Sequence, residues 1–177
     1  MKANGERVTE SAEATRAVAA RLAPLSRAGD VFLLVGDLGA GKTTFAQGFA
    51  AALGVEGPVT SPTFALVRQY RCRDGSPVST LIHADVYRTG SVGEIAALGL
   101  AELVEEDAVV LVEWGDVAAP ALGADALEVT LTAPDPSGAP ERRTIAVRGR
   151  GAWTGRVADV FEALARPGSP PPAPVSP

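Results

Sequence analysis

Several residue types are scarce in this 177-residue sequence, and each scarcity closes a class of function. Cys72 is the only cysteine, so no intrachain disulfide can form, and the chain fits a reducing cytoplasm. Asn4 is the only asparagine, which removes the Asn-Lys-x-Asp element that usually reads guanine and with it a GTPase. No apolar run approaches the roughly 20 residues that span a bilayer, so no membrane role is expected. Residues 1–10 are polar and lack the apolar core of a signal peptide. The net charge is −5 and there is no basic run. A protein that grips nucleic acid by itself normally carries a basic face, so any RNA would be held by a partner. Lysine is rare as well: Lys2 and Lys42 stand against fourteen arginines, which makes a lysine inside a motif informative.

What is present is enough for one domain with a sizeable core, since 46% of the residues are hydrophobic. Val31 to Val35 is a continuous apolar run that reads as a strand buried on both faces. The next eight residues, Gly36 to Thr43, match the phosphate-binding loop pattern, with Gly36, Gly41, Lys42 and Thr43 at the required places. Glycines let that backbone turn tightly and aim consecutive N–H groups at phosphate oxygens, and the following helix N-terminus adds partial positive charge. Lys42 would place a mobile ammonium between the β- and γ-phosphates, and the Thr43 hydroxyl is set to ligate Mg²⁺. The helix should run from Thr43 to Leu53 and stop at Gly54, a residue suited to a left-handed cap.

Around this core the pattern predicts an alternating α/β chain. A short edge strand at Arg7–Thr9 leads to a helix over Ala12–Leu22, capped by Ser11 and ended by Pro24. Two strands, Leu66–Arg73 and Val78–Ala84, flank an Asp74-Gly75 turn. Ser91-Val92-Gly93-Glu94 has the form of a capping box opening a helix through Leu98, and a further helical stretch follows over residues 100–105. Asp125–Ala133 and Glu141–Gly149 read as an antiparallel hairpin extending the sheet. Thr154 should cap a last helix to Ala165. From Pro167 onward six of eleven residues are proline, a composition that cannot build a core. The domain reading is therefore a P-loop ATPase domain at 1–166 and a disordered tail at 167–177.

Three further stretches carry candidate chemistry. Thr60-Ser61-Pro62-Thr63-Phe64 places hydroxyls near the expected γ-phosphate, with Ser61 held extended by Pro62. His83-Ala84-Asp85-Val86-Tyr87-Arg88 puts His83, Asp85 and Tyr87 on one face at the carboxyl end of a strand, where open α/β sheets bind ligands. Asp85 is a candidate for Mg²⁺ or for positioning the attacking water. His83, the only histidine, reads as a structural residue before it reads as a base. Ala108 to Val112 is another buried strand, ending in Glu113 and Trp114, which is the Walker B arrangement with Glu for Asp.

In this order the loop, Ser61 to Val67, His83-x-Asp-x-Tyr-Arg88 and Leu111-Val-Glu-Trp114 resemble the TsaE (formerly YjeE) family. The resemblance spans about residues 6 to 165. It implies a mostly parallel central sheet flanked by helices, and a slow, cytoplasmic ATPase using ATP and Mg²⁺. It implies two partners, the Kae1-type threonylcarbamoyl transferase and its paralogue, together with which the chain serves the threonylcarbamoylation of the adenosine 3′ of the anticodon, the tRNA being reached only indirectly through them. Carried over by motif, Asp37, Leu38, Gly39, Ala40, Gly41, Lys42, Thr43 and Thr44 bind the nucleotide, with Lys42 on the phosphates. Thr43 and Glu113 hold Mg²⁺, and Asp85 serves hydrolysis. Ser61 and Thr63 form a switch-like segment, and Thr15 falls where the N-terminal segment approaches the nucleotide. Phe64 stands where the family often has Tyr, which removes a hydroxyl. Two other readings share the loop: a small-molecule kinase, which would need an arginine-bearing lid (Arg68, Arg71 and Arg73 cluster on a strand), and a nucleotide-gated module without turnover.

Overall fold

The computed structural model describes residues 4–62, 66–88, 92–99, 107–122, 125–134 and 138–166. Expectations about Thr63, Phe64, Ser91, the stretch 100–105 and the tail 167–177 lie outside these residues.

Seven strands form one sheet in the order β1-β7-β6-β2-β5-β4-β3. They are β1 (Asn4–Thr9), β2 (Val31–Val35), β3 (Val67–Arg71), β4 (Thr80–Asp85), β5 (Ala108–Glu113), β6 (Ala126–Thr132) and β7 (Arg143–Arg150). The central four, β6-β2-β5-β4, are parallel to one another. Antiparallel strands β3, β7 and β1 complete the two sides, with β1 and β3 at the edges. The expected α/β class, parallel centre and antiparallel extension are all present.

The apolar runs of β2 and β5 are explained by burial on both faces. Phe32 and Leu34 of β2, with Val109 and Leu111 of β5, face helices α1 (Ala12–Leu22), α2 (Lys42–Ala52) and a helix near the carboxyl end, Val157–Ala165. Val31, Leu33, Val110 and Val112 face the opposite layer, α3 (Val92–Ala97) and α4 (Gly115–Leu122). In chain order Val157–Ala165 is α5.

Helix α1 has the expected bounds, and the Ser11 hydroxyl accepts from the Ala14 amide at 3.1 Å. Its end passes into a 3₁₀ turn at Ala23–Leu25. The β3–β4 hairpin is present, but both strands stop short of the turn: β3 ends at Arg71 and β4 begins at Thr80. The helices depart from the sequence reading at two places. Helix α4 has no counterpart there; Gly115 starts it and Pro120 lies inside it, both residues of low helix propensity. Thr154 does not cap α5. A 3₁₀ turn at Gly151–Gly155 buries Trp153 beneath Phe32, and the helix starts only after Arg156.

Helices α1 and α2 touch backbone to backbone at Gly48. A Cβ there would stand 2.3 Å from the Arg16 carbonyl oxygen. Gly48→Ala is therefore expected to lower stability by about 1–3 kcal/mol, because overpacking outweighs the helix-propensity gain of about 1 kcal/mol. Urea denaturation checks this, and stability at or above wild type would show that the two helices part without cost.

Candidate functional site

The loop between β2 and α2 begins with a turn that only glycine can make. Gly36 has φ +146°, and a Cβ on it would lie 2.3 Å from the Leu131 carbonyl oxygen. The loop then folds back over its own lysine. Lys42 Nζ donates to the Gly36 and Asp37 carbonyls at 2.7 and 2.8 Å and lies 3.9 Å over the Trp114 ring. Burial pushes the Lys42 pKa below the ordinary lysine value, against the pull of the Glu113, Asp85, Asp37 and Asp116 carboxylates.

The carboxylates come from the carboxyl ends of neighbouring parallel strands. Glu113 is in register with Leu34 of β2 on one side and Asp85 of β4 on the other. Glu113 is 3% exposed. The Thr43 hydroxyl, on the first turn of α2, lies 3.0 Å from both of its oxygens, and His83 Nε2 lies 2.9 Å from Oε1. Asp85 is equally buried: Oδ2 accepts from Ser61 Oγ at 2.8 Å, and Oδ1 accepts from the Tyr87 amide at 2.9 Å. Trp114, at φ +63°, turns its indole under Lys42 and packs against Tyr87 with centroids 4.6 Å apart.

These groups line one cavity of about 460 Å³, whose wall includes Lys42, Thr43, Ser61, Asp85, Glu113 and Trp114. The chemistry of its donors suits Mg²⁺. A hydroxyl and a carboxylate, both hard oxygen donors, already meet at 3.0 Å under the loop. Among the described residues no group of three His, Cys, Asp or Glu side chains could cage a metal. A second, smaller cavity of about 160 Å³ lies on the other side of the loop, between Thr15, Gly39, Gly41, Thr44 and Arg143. Arg71 and Arg73 line a separate groove that shares no residue with either cavity.

The family model for threonylcarbamoyl adenosine biosynthesis protein TsaE matches residues 9–144. The chain belongs to the TsaE family. It is 45% identical over 126 residues to the tRNA threonylcarbamoyladenosine biosynthesis protein TsaE of Mycobacterium tuberculosis, covering 67% of this chain and 73% of that one. The TsaE protein of Streptomyces coelicolor is 41% identical over 138 residues, which cover 77% of this chain and 90% of the other. The crystal structure of Bacillus subtilis YdiB superposes with a TM-score of 0.73 at 31% identity, covering 94% of this chain and 97% of that one.

Of the residues singled out in the sequence, Leu38, Gly39, Gly41, Lys42, Thr43, Thr44, Ser61, Asp85 and Glu113 line the larger cavity, and Asp37 and Ala40 lie in the same loop. Thr15 is placed on the second cavity, with its hydroxyl 2.9 Å from Thr9 Oγ1. Thr63 lies outside the described residues. Sequence reasoning missed Arg143. Its Nε donates to the Ala40 carbonyl at 3.0 Å and its Nη2 to the Gly39 carbonyl at 3.1 Å, so the start of β7 holds the crest of the loop. No signal marked it, because Arg is the default basic residue here and its partners are about a hundred positions away.

The lysine's seat gives an optical prediction. Nucleotide phosphates should draw Nζ off the Trp114 face and change that residue's emission, while Trp153, buried under Phe32 and Arg156, stays constant. Lys42→Met should weaken ATP binding at least about tenfold, since a charge-assisted hydrogen bond contributes about 1.5–3 kcal/mol. Fluorescence titration beside calorimetry checks both. Emission unchanged with ATP bound would mean that the ammonium keeps its seat on Trp114.

Proposed function

We propose that this protein binds ATP with Mg²⁺, hydrolyses it slowly, and serves the threonylcarbamoyladenosine modification of tRNA in the cytoplasm. It acts beside a Kae1-type transferase and that enzyme's paralogue, which hold the tRNA. The observation that carries this reading is the meeting of Lys42, Thr43, Asp85 and Glu113 in one cavity at the carboxyl edge of the parallel sheet. The names of the relatives in Mycobacterium tuberculosis and Streptomyces coelicolor supply the pathway. The acidic chain, with no basic run, fits a role in which tRNA is met through partners.

The residues divide the work by position. Backbone N–H groups of residues 37–44 and the start of α2 receive the phosphates. Lys42 exchanges the Gly36 and Asp37 carbonyls for the β- and γ-phosphate oxygens. Thr43 and Glu113 would hold Mg²⁺, which, when bound, neutralises charge developing on the phosphates. Asp85 orients the water that attacks the γ-phosphorus as the bond to the β-bridging oxygen breaks, giving ADP and phosphate. Both Asp85 oxygens are already engaged, by the Ser61 hydroxyl and the Tyr87 amide. An attacking water must compete with Ser61 for Oδ2, which supports slow turnover in the isolated protein and acceleration by partners that shift Ser61.

ATP turnover by the purified protein, alone and with the two partners and tRNA, tests this directly. Acceleration by the partners is expected. Turnover indifferent to them but raised by a small-molecule acceptor would replace this reading with a kinase. ATP binding without turnover in either mixture would leave a nucleotide-gated module. Asp85→Asn should bind ATP within about threefold of wild type and lose turnover by about 100-fold or more. Wild-type turnover in that variant would remove Asp85 from the reaction.

A further inference from the structure

His83 is fully buried on β4, on the same face as Asp85. Burying an imidazole leaves two ring nitrogens to satisfy, and only one is satisfied. Nε2 lies 2.9 Å from Glu113 Oε1, whereas Nδ1 is buried with no hydrogen-bond partner among the described residues. A carboxylate oxygen accepts only, so the proton is assigned to Nε2 from this contact. Core packing alone would favour an apolar side chain here, which fills the space and leaves no orphaned nitrogen. The arrangement makes sense if the bond to Glu113 is what the histidine is for.

The strand register explains how that bond is made. Asp85 pairs with Glu113 and His83 with Leu111, so His83 sits one same-face step behind and reaches diagonally to the glutamate. Oε1 of Glu113 is then held by both Thr43 and His83, while among the described residues Oε2 faces Thr43 alone. The terminal torsion of a glutamate is broad and soft. A second fixed donor on Oε1 removes that freedom.

We propose that His83 is a positioning residue: its Nε2–H fixes the Glu113 carboxylate plane so that Oε2 and the Thr43 hydroxyl stay aimed at one divalent cation. This rests on the reading of Thr43 and Glu113 as the Mg²⁺ ligands. His83 itself touches neither the cation nor the nucleotide, and it transfers no proton. Partners of this kind typically change metal affinity about 10–100-fold when removed.

The test is calorimetric titration of ATP over a series of Mg²⁺ concentrations, and once in EDTA, on the full chain. His83→Leu should need about tenfold more Mg²⁺ or higher for half-maximal enhancement of ATP binding, with unchanged affinity in EDTA. A merely structural role would lower the melting temperature and leave the Mg²⁺ requirement alone. His83→Gln, whose amide N–H reaches to the place of Nε2, should recover the wild-type requirement. His83→Asn, one methylene shorter, should not. A wild-type requirement in His83→Leu, or equal impairment of Gln and Leu, overturns the proposal. If His83→Leu does not fold, the Gln and Asn pair decides: impairment of Asn alone supports the proposal, and equal behaviour overturns it. Glu113→Gln separates the two layers of inference. An unchanged requirement there removes the metal-ligand reading and the positioning role with it. A raised requirement there beside a normal His83→Leu overturns the positioning role alone.

Discussion

A buried carboxylate is the constraint around which this structure is arranged. Taking a carboxylate out of water costs several kcal/mol unless donors replace the lost solvent. Glu113 meets that demand with Thr43 from α2 and His83 from β4, and the field of nearby Lys42 adds to them. Three separate elements must therefore converge on one point at the sheet's edge. The register Leu34–Glu113–Asp85 across β2, β5 and β4 makes the convergence possible. A slip of one residue in β5 would send Glu113 to the opposite face, among Leu33, Ile82 and Ala84.

The two-layer packing holds this register in place. Alternate residues of β2 and β5 enter different cores, so neither strand can slide without exposing one set and burying a clash on the other side. Close approaches fix the helices against the sheet and against each other. Gly48 brings α2 onto the backbone of α1, and Gly115 brings the start of α4 against Leu33, where a Cβ would stand 2.5 Å from Leu33 Cβ. The loop is thus stretched between a strand and a helix that are both immobilised by contacts outside the site.

The parts legible in the sequence are those whose causes are local. A continuous apolar run means a strand buried on both faces, a hydroxyl before an amphipathic stretch means a cap, and glycines at fixed offsets mean a phosphate loop. So β2, β5, α1 with its Ser11 cap, and the loop itself could be read directly. Helix α4 could not, since Gly115 and Pro120 oppose helix and the packing of Ala118, Ala119, Ala121 and Leu122 into the second core overrides them. The start of α5 was misplaced because Trp153 needs the preceding 3₁₀ turn to reach Phe32. Asp85 and Glu113 were legible as acids at strand ends, but their hydroxyl partners, Ser61 and Thr43, become visible only when strands from distant parts of the chain are laid side by side. Arg143 shows the same limit most plainly.

The grip of Arg143 on Gly39 and Ala40 also has a bearing on how the chain acquires its shape during synthesis. The loop emerges from the ribosome 103 residues before the side chain that holds its crest, and β1 must wait still longer for β7. Contacts of such long sequence separation slow folding, because loop-closure entropy has to be overcome before they form. Until β7 arrives, β6 has only β2 beside it and offers an unpaired edge to any other strand nearby. The nascent protein therefore passes through an interval in which its nucleotide loop exists but is untethered, an interval suited to chaperone protection and one in which early nucleotide binding would act as a folding aid.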